Sequence, residues 1–215
     1  MTRYQPPTDP VAVIHRDQDL LIVDKPSGLL SVPGKPEAHR DCLAARVVAD
    51  FPMALLIHRL DLETSGVMVF AMNRRAQKII NGQFERRIVK KTYVARVAGR
   101  VADETGVIDL PLTSDWPNRP LQKVCRETGR SARTHWQIIA REAAGTRLRL
   151  TPETGRSHQL RVHLMAIGHP ILGDPFYAPP DARDAVARLN LHAERLELRH
   201  PADGAWAGWA SPCPF

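Results

Sequence analysis

The sequence predicts an α+β fold with a mixed, largely antiparallel central sheet flanked by helices and loops. Three observations lead there. Most apolar runs are short and rich in β-branched residues, the helical patterns are few, and the two do not alternate in a regular strand–helix–strand order. The runs 11–15 and 20–24, split by Arg16-Asp17-Gln18-Asp19, predict a hairpin. Lys25-Pro26-Ser27-Gly28 breaks the second strand, and Pro33-Gly34-Lys35-Pro36 marks an extended loop. Residues 41–51 carry apolar side chains at helical spacing, with Asp41 expected to cap the helix and Pro52 to end it. A buried strand is expected over 67–72 and a helix over 73–87, with Ala76, Ile79, Ile80 and Phe84 on one face. Residues 91–97 alternate as a half-buried strand should, and further strands are expected at 134–140, 146–151 and 195–199. Ser157 is expected to cap a helix with Leu160, Leu164 and Ile167 as its core stripe, ended by Gly168 and Pro170; a short helix follows over 181–189.

The 215 residues suit one catalytic domain over 11–201, with a flexible arm at 1–10 containing Pro6, Pro7 and Pro10, and a tail at 202–215 packed on the domain. Thirty Lys and Arg against 23 Asp and Glu give a net charge of +7, which favours an anionic partner. No apolar run reaches the roughly 18–20 residues of a membrane span, and MTRYQPPTDP lacks the apolar core of a signal peptide. Cys42, Cys125 and Cys213 are odd in number and far apart, which supports neither a disulfide framework nor a zinc ribbon. A cytoplasmic protein, expected to be monomeric, fits these features.

Two stretches concentrate chemistry. His58-Arg59-Leu60-Asp61-Leu62-Glu63-Thr64-Ser65-Gly66 lies between two apolar segments, so Asp61 can be held partly desolvated and rigidly aimed, as a nucleophile or general base requires. The same residues would also serve as a plain turn with Asp61 capping amides. In Thr154-Gly155-Arg156-Ser157-His158-Gln159-Leu160-Arg161-Val162-His163, Arg161 is suited to pair a buried carboxylate in planar two-point geometry, or to lie on the surface. Histidines 158, 163 and 169 are five and six residues apart and have no paired carboxylate, so no metal is expected.

HRLDLETSG resembles the HRLDxxTSG signature of the RluA-type pseudouridine synthases. Other segments agree in the same order. Asp24 to Gly34 resembles the family's KPxG segment, Lys91-Thr92-Tyr93-Val94-Ala95 its tyrosine-bearing strand, and TGRSHQLRVH with GHPILGD its C-terminal motif. Leu191-His192-Ala193 resembles the LHA that follows. The departures, Ser157 and Leu160 where Thr and Ile are common, keep the chemistry. The KPxG segment begins at residue 25, so no S4-like RNA-binding module is expected ahead of it. That fits the minimal-length branch, which acts on the anticodon stem-loop of tRNA and a similar stem-loop of 23S rRNA.

The resemblance implies an isomerase that breaks N1–C1′ of a uridine in RNA and joins C5 to C1′, with neither cofactor nor metal. It makes Asp61 the catalytic carboxylate, which either adds to C1′ or removes the 2′ proton. Arg161 is its charge partner, and Tyr93 stacks on the uracil and takes the C5 proton late in the reaction. Arg59 is the wedge that fills the gap left by a flipped nucleotide. His58, Lys25, Arg86 and Arg87 are expected as further RNA or base-flipping contacts; Arg86 and Arg87 belong to the densest basic run. Two other readings stand beside it: a catalytically silent RNA-binding domain on the same scaffold, and a uracil N-glycosylase. Trp206 and Trp209 are expected to pack the tail rather than stack on bases.

Overall fold

The computed structural model describes residues 4–215, so positions 1–3 of the expected arm lie outside the described residues. In chain order the elements are β1 (Ala12–Arg16), β2 (Leu20–Lys25), α1 (Leu43–Asp50), β3 (Leu55–Leu56), β4 (Ser65–Ala71), α2 (Arg74–Glu85) and β5 (Lys90–Val97). Then come β6 (Thr105–Asp109), β7 (Leu112–Ser114), β8 (Gln122–Val124), β9 (Arg133–Glu142), β10 (Gly145–Pro152), α3 (Gln159–Ala166), α4 (Pro180–Arg183), β11 (Leu191–Arg199) and β12 (Trp206–Ala210). The fold is α+β with antiparallel pairing throughout the registers below, as the sequence predicts. No helix among the described residues is long and apolar enough to cross a membrane. The chain forms two compact units, one of Met1–Lys91 with Ala193–Pro214, the other of Thr92–His192 with Phe215.

In the first unit β2 pairs β1 on one side and β4 on the other, β12 pairs β11, and β3 adds to the end of β4. Every residue of β4 is buried, so its sequence runs continuously apolar instead of alternating. Leu20, Ile22, Val67, Val69 and Ala71 pack with Ala76 and Ile80 of α2 and with Leu196 and Leu198 of β11. Gly66 opens β4 at φ +117°, and a Cβ there would lie 2.2 Å from the Ala193 carbonyl oxygen, so only glycine fits. The Asn73 side chain caps α2 by accepting from the Ala76 N–H at 2.8 Å.

The cap of α1 differs from expectation. Cys42 Sγ accepts from the Ala45 N–H, because both Asp41 oxygens are taken by Arg46 at 2.7 Å each. Arg46 also donates to the Pro7 and Asp9 carbonyls, and the Tyr4 hydroxyl donates to the Asp41 carbonyl while accepting from the Leu30 N–H. The segment expected to be a loose arm is therefore tied down from Tyr4 onward. In the tail, β12 sets Trp209 opposite Leu196 in the ladder, while Lys90 and Arg199 lie over the Trp206 ring.

The second unit orders its strands β5–β10–β9–β6, which sets β5 beside β10 rather than beside β6, with β7 and β8 as a separate hairpin. Ala95, Val97, Leu148, Leu150 and Trp136 meet Leu160 and Leu164 of α3 in one core, with Tyr93 packed against it. The N-cap of α3 is His158 in left-handed conformation (φ 53°), with no side-chain cap bond, and not Ser157. Gln159 instead ties the preceding loop to the start of the helix, its Oε1 accepting from the Arg156 N–H and the Thr154 hydroxyl. The helix expected over 181–189 is a single turn, ending at Arg183.

Candidate active site

Asp61 lies on the loop joining β3 to β4, and backbone-directed bonds from the 25–31 segment hold that loop from below. Gly28 N–H donates to the Leu62 carbonyl at 3.0 Å, Ser27 Oγ to the Glu63 carbonyl at 2.7 Å, and Ser31 Oγ to the Leu60 carbonyl at 2.6 Å. Ser31 Oγ also accepts from the Leu60 N–H at 3.1 Å, and the Thr64 N–H closes a turn on the Asp61 carbonyl. The residues on both sides of Asp61 are thus fixed through their main chain. Asp61 itself is half-buried and Arg59 is exposed.

Two of the expected RNA contacts have structural duties instead. Lys25 is 0 % exposed, and its Nζ donates to the carbonyls of Pro26 (2.9 Å), Leu29 (2.7 Å) and Leu62 (3.1 Å). An ammonium sealed among three carbonyls has no route to a phosphate; it draws the strand end and the Asp61 loop together. His58 accepts from the Val69 N–H through Nε2 at 3.1 Å, which puts its proton on Nδ1, and its ring stacks on Phe84 at 5.0 Å. Burial, helped by the Lys91 ammonium, pushes its pKa down to about 4.

Neutral His58 carries a pH signature. A folded-state pKa below the ordinary value near 6.5 adds stability above pH 6.5 that is lost as pH falls toward 4, about 2 kcal/mol of it by pH 5. Unfolding in urea at pH 7.5 and pH 5.0 is expected to show this loss in the parent and to lose that share in His58→Gln. An unchanged pH dependence in the variant would contradict the assignment.

Arg86 and Arg87 are exposed at the end of α2, with Arg87 in left-handed conformation at φ 57°. Charge repulsion from Arg87 adds to burial in lowering the Lys91 pKa, and Lys91 in turn acts on His58. The basic run therefore abuts the base of the Asp61 loop.

In the second unit, Arg161 is 2 % exposed and meets Asp174, 0 % exposed, in the planar two-point geometry: Nε to Oδ2 at 2.8 Å and Nη2 to Oδ1 at 2.6 Å. Asp174 Oδ1 also accepts from the N–H groups of Phe176 and Tyr177, and both rings lie near the Arg161 guanidinium at 5.1 and 5.2 Å. Behind this pair runs a satisfied polar chain. Gln159 Nε2 donates to Thr134 Oγ1, Thr134 donates to His163 Nδ1, and His163 Nε2 donates to the Leu110 carbonyl. Both His163 nitrogens are used, and burial lowers its pKa, so it is a neutral scaffold residue. Tyr93 is half-buried on β5 opposite Leu150 and shares a core with Leu160, the neighbour of Arg161.

Comparison with known proteins decides what family these segments define. The RNA pseudouridylate synthase family matches residues 19–166. A dual-specificity RNA pseudouridine synthase RluA from Yersinia pestis is 54% identical over 193 residues, covering 89% of this chain and 94% of its own. The protein of the same name from Escherichia coli K12 is 50% identical over 217 residues, covering 100% and 99%. The chain belongs to the RNA pseudouridine synthase family. It is of the RluA type, an isomerase that turns uridine into pseudouridine within RNA. Among solved structures, human RNA pseudouridylate synthase domain containing 1 superposes with a TM-score of 0.82 at 27% identity, over 98% of this chain and 87% of that one.

As a pseudouridine synthase, the chain carries supporting residues that sequence reading passed over. Ser27 and Ser31 hold the catalytic-motif loop, and Asp174, Phe176 and Tyr177 surround Arg161. A signal for Asp174 existed: an arginine suited to a buried carboxylate sits one short loop upstream of the Gly-Asp of GHPILGD. Nothing in the sequence around Ser31 marks its hydroxyl as the brace of Leu60.

Proposed function

We propose that the protein converts a uridine in the anticodon stem-loop of tRNA, in a similar stem-loop of 23S rRNA, or in both, acting as a cytoplasmic monomer. The observation that carries this reading is the loop 57–64, whose backbone is braced on both sides of Asp61 inside the HRLDLETSG motif. Near-full-length identity of about half to relatives named dual-specificity synthases supports the choice of RNAs.

The reaction breaks N1–C1′, forms C5–C1′, moves a proton from C5 and returns one to N1. No electrons are gained or lost, so the chemistry requires no redox partner. Asp61 either bonds to C1′, displacing uracil, or takes the 2′ proton; Tyr93 stacks on the uracil and receives the C5 proton. Arg161 takes its role as charge partner of the carboxylate from the motif resemblance alone, and within its own unit Asp174 holds its guanidinium in plane. Exposed Arg59, two residues from Asp61, fills the place vacated by the flipped nucleotide, at a cost of a few kcal/mol that is smallest for a loop base. Arg86 and Arg87 contact phosphate.

Incubation with bulk tRNA and rRNA, followed by mapping of carbodiimide-stable reverse-transcription stops, tests the reading. One stop in tRNA and one in 23S rRNA are expected. Stops in tRNA alone would remove the rRNA half, and released uracil without stops would favour a glycosylase.

A further inference from the structure

We propose that the β7–β8 hairpin is an RNA-docking arm whose tip residue, Trp116, stacks on an unpaired nucleobase of the substrate loop, an inference that rests on the RNA-isomerase reading above. Trp116 is 67 % exposed, an unusual position for a side chain that gains so much from burial. The Arg119 guanidinium lies 3.2 Å from its ring centroid. A cation on one side of an indole and an open remainder make a platform on which a further flat, electron-rich ring extends the stack.

The tip is built to hold that ring still. Asp115 N–H donates to the Leu121 carbonyl, Asn118 N–H to the Asp115 carbonyl, and Leu121 N–H to the Asn118 carbonyl, all within 2.9–3.0 Å. Asp115 also accepts from Asn118 Nδ2 at 2.8 Å and from Lys123 Nζ at 3.0 Å. Pro117 and Pro120 stiffen the same turn. A preordered tip loses little entropy when it docks. Its root is bolted to the Arg161 shelf: the Gln122 N–H donates to the Tyr177 hydroxyl at 2.9 Å, that hydroxyl pairs with His158 Nδ1 at 2.7 Å, and the Tyr177 ring flanks Arg161.

Charge selects the occupant. Arg119, Arg126 and Arg130 line the hairpin and its base against Glu127, while Asp115 and Lys123 offset each other within the tip. The neighbours of the exposed indole in sequence are polar or proline, so it lacks the apolar surround of a protein-binding hot spot. An unpaired base offers what the platform takes, a free π-face beside phosphates, and a base inside a duplex does not.

The test measures binding and turnover of the parent, Trp116→Ala and Trp116→Phe. The probes are a synthetic RNA stem-loop with an anticodon-arm loop and a fully paired duplex of the same stem. Stacking contributes about 1–3 kcal/mol per base, so Trp116→Ala is expected to weaken stem-loop binding about 5- to 150-fold, with the loss in Kd and KM rather than kcat. Trp116→Phe recovers most of it, the salt slope of binding stays the same because no phosphate contact is lost, and duplex binding is equal for all three. Trp116 faces solvent, so thermal midpoints are expected to match. Stem-loop binding by Trp116→Ala equal to the parent, or an equal loss on the duplex, overturns the proposal. Product formation by the parent protein judges the isomerase reading separately.

Discussion

Asp61→Asn is expected to lower the single-turnover rate of pseudouridine formation by at least about a thousandfold while changing RNA affinity less than about threefold. The amide keeps the size of the side chain, and the loop around it stands on main-chain bonds from Gly28, Ser27 and Ser31 that the change leaves alone. What disappears is the anionic oxygen that, in the proposed reaction, adds to C1′ or takes the 2′ proton. Because C5 loses its hydrogen when it joins C1′, RNA tritiated at uridine C5 reports the reaction as label released to water, and filter binding reports affinity. A variant with more than a tenth of the parent rate would exclude Asp61 as the reacting group.

Asp174→Ala is expected to cost about 3–5 kcal/mol of stability, read as a shift in the urea midpoint, because it strands a guanidinium that is 2 % exposed. The exposed Arg183–Asp184 pair has similar bond lengths near 2.8 Å, yet Asp184→Ala is expected to leave the midpoint unmoved. The difference is solvent. Water replaces a lost partner at the surface and has no access to Arg161. Replacing both members, as Arg161→Met with Asp174→Leu, is expected to restore much of the stability without restoring pseudouridine formation. Recovery of both together would make the pair purely structural.

The motifs and the long apolar strands were legible in the sequence because each rests on local pattern. The hairpin of β1 and β2, the buried run of β4 and the alternation of β5 all come from residues whose neighbours in sequence settle their state. The elements not foreseen are short or polar. β6, β7 and β8 hold three to five residues each, and their pairing comes from partners elsewhere in the chain. β12 reads as a small-residue tail, and becomes a strand because β11 offers it an edge. Within the site, the sequence marks which residues are polar but not where their bonds go. Lys25 and His58 look like solvent-facing cations beside a motif, and tertiary partners turn both inward. Asp41 looks like a cap, and Arg46 takes it first.

The fit of Gly66 against the Ala193 main chain sets a timetable for a chain emerging from the ribosome. The loop ahead of Gly66 is translated early, yet the backbone that walls its exit is among the last parts made. Pairing across so long a separation is slow to form, so the nascent protein spends most of its synthesis without that wall. A fragment released before Ala193 would lack the wall against which Gly66 packs, however well its earlier strands have paired.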